Sequence, residues 1–350
     1  MSGCHVGRFF IYNFANITDY KKFPDRTLLA PEKPFEFIPP ERQFELKSFT
    51  IDGKNLSFEK YLTDQKTVAF LIIRNDTMLF EKYYNGYSQN DIVASFSMAK
   101  SITSILIGCA IDDGLIRSDE DAITDYVKGF KDPKMSEVKI KHLLQMTSGI
   151  DFNESYVNPF GEAALFYYGR HLEKYCSRLK VKNTPGTQFN YVSGDTQLLG
   201  LLLKSVLQER SITSYLQEKI WTPLGMESDA SWSLDKKDGV EKTFCCVNAI
   251  ARDFAKIGRL YLNEGNWNGK QIVNKNWVAK STSLDESENS PWYYQYQWWI
   301  PNGWGAFMAE GILGQFVYVY PPKNLIIVRL GKKEGSADWW GIFNALAAGA

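Results

Sequence analysis

Two segments with the pattern of β-hairpins lie near opposite ends of this 350-residue chain, and helical patterns fill most of the sequence between them. The first, residues 67–87, has β-branched and aromatic residues on both sides of Asn75-Asp76, a dipeptide that favours a tight turn. The second, residues 316–331, surrounds a Pro-Pro turn in the same way. Strands at both ends with helices between them predict that the terminal segments meet in one sheet and that the middle forms a second lobe.

We therefore predict an α/β (α+β) fold, in which an antiparallel sheet is flanked by helices and carries an inserted, mostly helical lobe. Residues 1–45 contain five prolines and predict an extended N-terminal arm. The sheet domain is expected to take residues 46–115 and 245–350, and the helical lobe residues 116–244. Any functional site is expected in the cleft between these two lobes.

The composition indicates a folded protein that acts on small molecules. Apolar residues make up 44% of the chain and aromatic residues 15%, which is enough for a substantial core. Forty Lys and Arg residues balance forty Asp and Glu residues, so we expect neither nucleic acid nor a membrane surface as a partner. The longest apolar runs fall short of the roughly 18 residues of a spanning helix, so no transmembrane span is expected.

The N-terminus leaves two interpretations open. Ser-Gly-Cys at residues 2–4 resembles the end of a bacterial lipoprotein signal, which would place a lipid anchor on Cys4 and the protein in the bacterial cell envelope or periplasm. The alternative is an ordinary start and a cytoplasmic location. The other cysteines lack metal-like spacing and adjacent cysteines rarely bond each other, so we expect buried free thiols at Cys109, Cys176, Cys245 and Cys246.

Several common catalytic motifs are missing from the sequence. It has three histidines, and it contains no Gly-x-Ser-x-Gly elbow, no His-Glu-x-x-His, no phosphate-binding loop and no Gly-x-Gly-x-x-Gly fingerprint. We therefore expect no metal and no organic cofactor. Any nucleophilic chemistry needs a base other than histidine.

A serine and a lysine three residues apart occur in "ASFSMAKSITS", as Ser97 and Lys100. On a helix the two side chains share a face, and a serine becomes nucleophilic when a neighbouring base takes its proton. Lysine acts as that base only when neutral, and burial lowers its pKa by up to about 3–5 units. The pair therefore needs a buried helix start. Four other pairs have the same spacing: Ser57–Lys60, Ser136–Lys139, Ser177–Lys180 and Ser233–Lys236.

The surroundings of Ser97 meet this requirement. Apolar residues precede it, and Met98, Ile102, Ile105, Leu106 and Cys109 recur at helical spacing, which predicts a buried helix of about four turns. A helix N-terminus also favours a deprotonated lysine and an oxyanion nearby. The serines of the other four pairs are more simply solvated polar residues. These patterns alone leave two alternatives at Ser97, a catalytic pair and a plain N-cap.

Further segments follow in a recognisable order: "IKHLLQMTSGI", "TPGTQFNYVSGDTQLLG" with Tyr191 and Ser193, "TPLGM", "ARDFAKIGRLYLNEGNWNGKQIV", and "FMAEGILGQFVYVYP" with Gly311 and Gly314. Together with Ser97 they resemble the serine hydrolases of the penicillin-recognising superfamily. This superfamily includes class C β-lactamases, DD-peptidases, related esterases and 6-aminohexanoate-dimer hydrolases. The resemblance runs from about residue 60 to residue 350.

The resemblance implies an active site with an acyl-enzyme mechanism. It makes Ser97 the acylated nucleophile, Lys100 its proton partner and Tyr191 the phenol that shares proton transfer and protonates the leaving group. Ser193 would be a hydrogen-bonding support in the substrate site. The backbone N–H groups of Ser97 and Ile312 would form the oxyanion hole.

The third motif departs from the β-lactamase pattern. Where those enzymes carry Lys-Thr-Gly or His-Thr-Gly, this chain has Ala-Glu-Gly at residues 309–311 or, on a shifted alignment, Ile-Leu-Gly at residues 312–314. Neither supplies the cation that helps to hold a substrate carboxylate. The sequence looks more like the 6-aminohexanoate-dimer hydrolase and esterase branch, so an amide or ester without a carboxylate anchor is the expected substrate.

Substrate-binding positions are predicted at Gly311, Gly314, Tyr168 and Trp304, with a second aromatic core as the alternative for the Trp-rich run. Two other functions remain open: a β-lactamase or DD-peptidase-like penicillin-binding protein, and a sensor that acylates without turnover. A monomer or a homodimer is expected.

Overall fold

The structure is a computed structural model, and it describes residues 4–12, 14–41, 49–51, 54–286, 290–301 and 303–349. In chain order its strands are β1 Asp25–Leu28, β2 Phe49–Ile51, β3 Lys54–Leu56, β4 Thr67–Arg74, β5 Thr77–Tyr83, β6 Val93–Ala94, β7 Ala230–Ser233, β8 Val247–Ala249, β9 Asn266–Trp267, β10 Lys270–Gln271, β11 Tyr294–Gln295, β12 Trp298–Trp299, β13 Phe307–Gly311, β14 Gln315–Tyr320 and β15 Leu325–Gly331. Its helices are α1 His5–Tyr12, α2 Phe58–Asp64, α3 Met98–Asp112, α4 Ile123–Tyr126, α5 Ile140–Leu144, α6 Glu162–Tyr168, α7 Leu172–Cys176, α8 Ser193–Leu207, α9 Ile212–Leu216, α10 Ala251–Leu262, α11 Lys275–Thr282 and α12 Trp339–Gly349.

The main sheet has seven antiparallel strands in the order β11-β12-β13-β14-β15-β4-β5. Strand β15, near the end of the chain, pairs with β4, and Ile327 lies opposite Ile72. The prediction that both terminal hairpins meet in one sheet is confirmed, as is the α/β class with an antiparallel sheet.

The turn between β4 and β5 forms at the predicted dipeptide. Asn75 and Asp76 have φ angles of +51° and +61°, the left-handed pair that a two-residue hairpin turn requires. Asn and Asp tolerate this conformation better than other residues with a side chain, which is why this dipeptide indicates a hairpin in sequence.

Both faces of the sheet are covered. In β4, Leu71 and Ile73 point into a large core that also contains residues of α3, α8 and α10, whereas Phe70 and Ile72 point into a second core with α2 and α12. Because neighbouring residues of a strand face opposite sides, a strand buried on both faces reads as an unbroken apolar run. This explains the segment "AFLII" in the sequence.

Helix α3 is the predicted buried helix after Ser97. It has 15 residues, and all of them from Met98 to Ala110 are buried. It contacts strand β13 of the main sheet on one side and helix α8 on the other. The residue that precedes the helix therefore lies between the sheet and the helical part of the molecule.

The N-terminal region combines a helix with extended chain. Within residues 1–45, for which the sequence predicts an extended arm, His5–Tyr12 form α1, and β1 pairs with β7 in a second, four-stranded sheet of order β1-β7-β8-β6. Residues 1–3, 13 and 42–45 lie outside the described residues. The division into an arm, a sheet domain and a helical lobe stays a prediction.

The described part of the chain contains no helix with the length and apolar character needed to cross a membrane. Cys4 is exposed just before α1, while the Ser-Gly step of the predicted lipoprotein signal lies outside the described residues. A lipid anchor, a location in the cell envelope and a monomeric or dimeric state stay predictions from the sequence.

The cysteines follow the prediction only in part. Cys109 and Cys176 are buried free thiols as expected, but Cys245 and Cys246 form a disulfide with each other, so the prediction of free thiols is wrong for this pair. The chain turns sharply at this point, since Cys246 has a φ of +75°, and the turn brings the two neighbouring side chains together.

Candidate active site

Ser97 lies in a sharp connection between a strand and a helix. Strand β6 pairs with β8, and this pairing continues through Ser95, whose N–H donates to the carbonyl of Val247 at 2.8 Å. The next residue, Phe96, has a φ of +44°, a conformation that residues with a side chain rarely adopt. Strain of this kind persists where the surrounding structure holds it, and it is common at functional sites. Here it leaves Ser97 half-buried at the start of α3.

The Lys100 ammonium is buried beside Ser97. Only 1% of Lys100 is exposed, and its Nζ atom lies 3.2 Å from the Oγ of Ser97. The same nitrogen donates to the Oγ of Ser193 at 3.0 Å and to the carbonyl oxygen of Phe244 at 2.9 Å. Sequence spacing predicted the contact with Ser97, and the Tyr-x-Ser motif predicted that Ser193 lies nearby.

The Lys100 nitrogen has three hydrogen-bond partners, and toward two of them it must be the donor. The carbonyl oxygen of Phe244 is able only to accept. The hydroxyl of Ser193 donates to a carboxylate oxygen of Glu154 at 2.5 Å, so its oxygen accepts from Lys100. The third position points to Ser97. When Lys100 is neutral, its two N–H groups fit these two acceptors and its lone pair faces the serine hydroxyl.

Burial also favours the neutral form of Lys100. Loss of solvent lowers the pKa of Lys100 to about 8, while the negative charges of Glu154 and Asp195 act in the opposite direction. At pH 7 this corresponds to about one-tenth of the lysine in the neutral form. A lysine that titrates near neutral pH and contacts a serine hydroxyl has the properties of a general base.

Tyr191 completes the group around the serine. Its phenol shares a hydrogen bond with Ser97, and its ring lies 5.0 Å from the Lys100 nitrogen. Trp299 stacks on the Tyr191 ring with 5.7 Å between ring centroids, so the Trp-rich run positions the phenol from behind. Burial raises the pKa of Tyr191, which the hydrogen bond with Ser97 partly opposes, so the phenol holds its proton at neutral pH.

The end of strand β13 packs against the backbone at Ser97. A Cβ atom on Gly311 would lie 2.4 Å from the carbonyl oxygen of Ser95 and 3.0 Å from the backbone nitrogen of Ser97, so only glycine fits here. Of the two sequence alignments of the third motif, the one with residues 309–311 therefore lies beside the serine. Within the described residues, neither the Ser97 N–H nor the Ile312 N–H has an acceptor.

A cavity of about 340 Å³ opens next to Ser97. Of the predicted substrate-binding residues, Tyr168 and Ser193 line it, and so do Ser97 and Ile312, the residues predicted for the oxyanion hole. The described residues of its wall do not include Gly311, Gly314 or Trp304. Gly314 instead lies against Arg329, whose guanidinium donates to the Gly314 carbonyl at 2.6 Å. The Trp304 side chain is 66% exposed.

The other four Ser-Lys pairs have different surroundings. Ser57 is the exposed N-cap of α2, and Lys60 pairs with Asp64 on the surface. The hydroxyls of Ser136 and Ser177 donate to backbone carbonyls within their own turns. Ser233 is not solvated as expected, because it lies buried in β7 and accepts a hydrogen bond from Asn248. In the described structure none of these serines forms a hydrogen bond with the side chain of the lysine three residues later.

Sequence reasoning missed two participants of the site. Glu154 comes from the loop before α6, and it accepts from both the hydroxyl and the backbone N–H of Ser193, at 2.5 and 2.8 Å. Tyr156 in the same loop donates to Glu154 at 2.9 Å. The loop sequence "DFNESYVNPFG" reads as a polar turn, and no local signal links it to a serine 39 residues later. The contact exists only in the folded chain.

The fold is that of the β-lactamase and penicillin-binding-protein superfamily. The Beta-lactamase family model matches residues 58–339, and the chain belongs to this family, as the sequence predicted. The proteins that it resembles include ones named 6-aminohexanoate-dimer hydrolase and family VIII carboxylesterase.

Three comparisons describe the similarity. The chain is 28% identical over 307 residues to 6-aminohexanoate-dimer hydrolase of Paenarthrobacter ureafaciens, covering 81% of this chain and 78% of that protein. It superposes with a TM-score of 0.86 on a Bacillus anthracis structure that carries the provisional name of 6-aminohexanoate-dimer hydrolase, at 23% identity and with 99% and 95% of the two chains covered. A family VIII carboxylesterase superposes with a TM-score of 0.63 at 16% identity, covering 81% and 93%.

Proposed function

We propose that this protein is a serine hydrolase that cleaves an ester or amide bond through an acyl-enzyme on Ser97. The Ser97 oxygen attacks the carbonyl carbon as Lys100 takes its proton, and a tetrahedral intermediate forms. The bond to the leaving oxygen or nitrogen then breaks, and the proton reaches that atom through Tyr191. Water attacks the acyl-serine in the second half of the reaction, releases the acid and returns the proton to Ser97.

The observation that carries this proposal is the hydrogen-bond arrangement around Lys100. Two fixed acceptors, Phe244 and Ser193, take two N–H groups and direct the remaining position of the nitrogen at Ser97. A solvated lysine would have no preferred direction. The arrangement and the pKa lowered to about 8 together supply a base at the serine without histidine.

The backbone N–H groups of Ser97 and Ile312 are the proposed oxyanion hole. Gly311 allows the chain to pass close to the Ser97 nitrogen, and both N–H groups lack an acceptor among the described residues. A buried N–H without an acceptor is unfavourable unless a ligand or water binds it. Each such donor typically contributes about 10²–10³ to the rate of acyl transfer.

Glu154 is a positioning residue in this proposal. Its carboxylate accepts the Ser193 proton and thereby makes the Ser193 oxygen an acceptor for Lys100. Its negative charge also raises the pKa of Lys100 against the effect of burial. Glu154 thus sets both the direction and the basicity of the lysine.

The proposed substrate has no carboxylate anchor. The third motif that packs beside Ser97 is Ala-Glu-Gly, and the described wall of the cavity contains no lysine or arginine. A β-lactam or a D-Ala terminus carries a carboxylate that would find no cation there. We therefore favour hydrolysis of esters and amides over β-lactamase or DD-peptidase activity.

Acylation of Ser97 is the direct test. Purified protein is treated with a fluorophosphonate probe and with p-nitrophenyl acetate, and intact mass and product release are measured over time. We expect one label per chain, steady product release, and loss of both in Ser97→Ala but not in the matched variant Ser57→Ala. Undiminished labelling of Ser97→Ala would overturn the assignment. A single burst without further product would instead indicate a non-turnover sensor, and turnover of nitrocefin above that of the ester would favour a β-lactamase.

A further inference from the structure

The cavity beside Ser97 is lined mainly by apolar side chains. Phe96 and Phe244 lie next to the serine, Ala163 and Ala164 come from α6, and Leu313 comes from the turn after β13; Tyr167, Tyr168 and Ile312 add to the same wall. Its volume of about 340 Å³ lies at the small end of ligand-binding pockets. Such a space suits one short hydrocarbon group.

Charged groups near the cavity already have partners or lie at its edge. The Arg8 guanidinium donates to the carbonyl of Tyr168 at 2.5 Å, and the Lys242 ammonium donates to the carbonyl of Tyr167 at 2.5 Å. Neither side chain belongs to the described lining. Glu334 is the one charged residue in the described lining, and it is exposed. The Glu154 carboxylate is not part of the described lining, and it already accepts from the lining residues Ser193 and Tyr156. An ammonium or carboxylate on a bound chain would therefore lose water without gaining a buried, unpartnered group of opposite charge in the described lining.

The N-terminal segment forms one side of the mouth. Helix α1 is held against α6 by Arg8 and by Phe9, which is 6% exposed and packs edge-on against Tyr168 at 5.4 Å. Phe14 and Ala15, which follow this helix, line the cavity together with Val157 of the loop that carries Glu154. Phe14 and Ala15 are thus part of the cavity wall.

The geometry also indicates which part of a substrate enters. In the proposed mechanism the leaving group departs beside the Tyr191 phenol, and Tyr191 does not belong to the described cavity wall, whereas Ser97 and Ile312 do. The group that extends into the cavity is then the one that stays bonded to the carbonyl carbon. The acyl group occupies the apolar space, and the leaving group lies outside it.

We propose that this hydrolase selects esters and amides with an uncharged, short aliphatic acyl group, and that Phe14 of the N-terminal segment is a specificity-determining residue for that group. This inference rests on the proposed acyl-enzyme function. It excludes a charged chain end, such as the terminal ammonium of an aminoalkanoyl group, from the preferred substrates. Burial of each added methylene favours the bound acyl group by a factor of about four.

The test uses p-nitrophenyl esters that share one leaving group, from acetate to hexanoate, and the 6-aminohexanoate ester. We expect kcat/KM to rise about fourfold per methylene until the cavity is full, and the hexanoate to exceed the 6-aminohexanoate by about tenfold or more. Phe14→Ala should lower the hexanoate-to-acetate ratio about fourfold. Phe10→Ala is the matched control, because Phe10 lies on the same segment, is 68% exposed and does not belong to the described cavity wall. Its ratio should equal that of the wild type.

Three results would overturn the inference: a flat dependence on acyl length, a preference for the charged ester, or the same ratio in Phe14→Ala as in the wild type. A rise with the length of the alcohol in a series of alkyl acetates, with no rise for the acyl series, would also contradict it. The proposed function fails separately, because it requires that Ser97→Ala lose hydrolysis of the acetate. Phe14 is 59% exposed, so its variant is expected to fold, and thermal unfolding checks this.

Discussion

Replacing Glu154 with glutamine should move the pH dependence of the enzyme, because this carboxylate faces the proposed base through one serine hydroxyl. The hydrogen bonds of 2.5 and 3.0 Å place a carboxylate oxygen of Glu154 within about 5.5 Å of the Lys100 nitrogen. At an effective dielectric constant of about 20, Coulomb's law gives about 3 kcal/mol, or about two pKa units, as an upper bound. Glu154 is half-buried, and solvent screening reduces the effect to about one unit.

The direction follows from the sign of the charge. The negative carboxylate stabilises protonated Lys100, so its removal lowers the pKa of Lys100 further below the present value of about 8. In the proposed mechanism the active form has a neutral lysine, and the rising limb of kcat/KM therefore shifts to lower pH in Glu154→Gln. The plateau should fall about tenfold, because Ser193 loses a charged acceptor that orients it.

The assay is kcat/KM for p-nitrophenyl acetate between pH 6 and pH 10, corrected for spontaneous hydrolysis. Glu162→Gln is the matched control: Glu162 lies on the same stretch of chain and accepts from the Asn153 N–H at 3.1 Å, and it makes no contact with Ser193 or Lys100 in the described structure. Its rising limb should coincide with that of the wild type. The reasoning would be refuted if the rising limb of kcat/KM stayed at the wild-type pH in Glu154→Gln, or if it shifted equally in both variants.

Three further predictions concern the base, the backbone at the serine and the disulfide. Wild-type kcat/KM should rise with pH through an apparent pKa of about 8, because the pKa of Lys100 determines the fraction of neutral base. A rise in kcat/KM that is complete below pH 6 would contradict this. Gly311→Ala should lower kcat/KM about 100-fold, because the added Cβ would lie 2.4 Å from a backbone oxygen and displace the nucleophile, while Gly303→Ala, with its nearest contact at 3.9 Å, should have no such effect. Alkylation of the denatured, non-reduced chain should modify three cysteines and reach Cys245 and Cys246 only after reduction; five reactive thiols would disprove the bond.

The sheet and helix α3 were predictable because their signals are local. The turn dipeptide Asn75-Asp76 adopts the conformation that its side chains favour, and the apolar period after Ser97 is that of a buried helix. Ser97, Lys100 and Tyr191 were found through ordered motifs, and the fold brings these three side chains together. Their chemical roles stay a proposal.

What the sequence missed depends on contacts between distant segments. Glu154 reaches Ser193 across 39 residues from a loop with no motif of its own. Gly314 looks equivalent to Gly311 in sequence, but the space beside it is filled by Arg329, whereas that beside Gly311 is filled by the backbone before the nucleophile. Ser233 reads as part of a polar turn and is instead buried in an inner strand of the four-stranded sheet.

The short segment from Phe244 to Val247 explains why the lysine contacts the serine in only one of the five Ser-x-x-Lys pairs of the described structure. At one end, Val247 exchanges hydrogen bonds with Ser95, accepting from its N–H at 2.8 Å and donating to its hydroxyl at 3.1 Å, and so fixes the chain two residues before the nucleophile. At the other end, the carbonyl of Phe244 holds the Lys100 nitrogen at 2.9 Å. Both members of the pair are thus held in position by one stretch of backbone, and the disulfide within that stretch restrains it further. Spacing along the helix brings the serine and the lysine to the same face, but this distant segment determines that the lysine nitrogen points at the serine rather than at solvent.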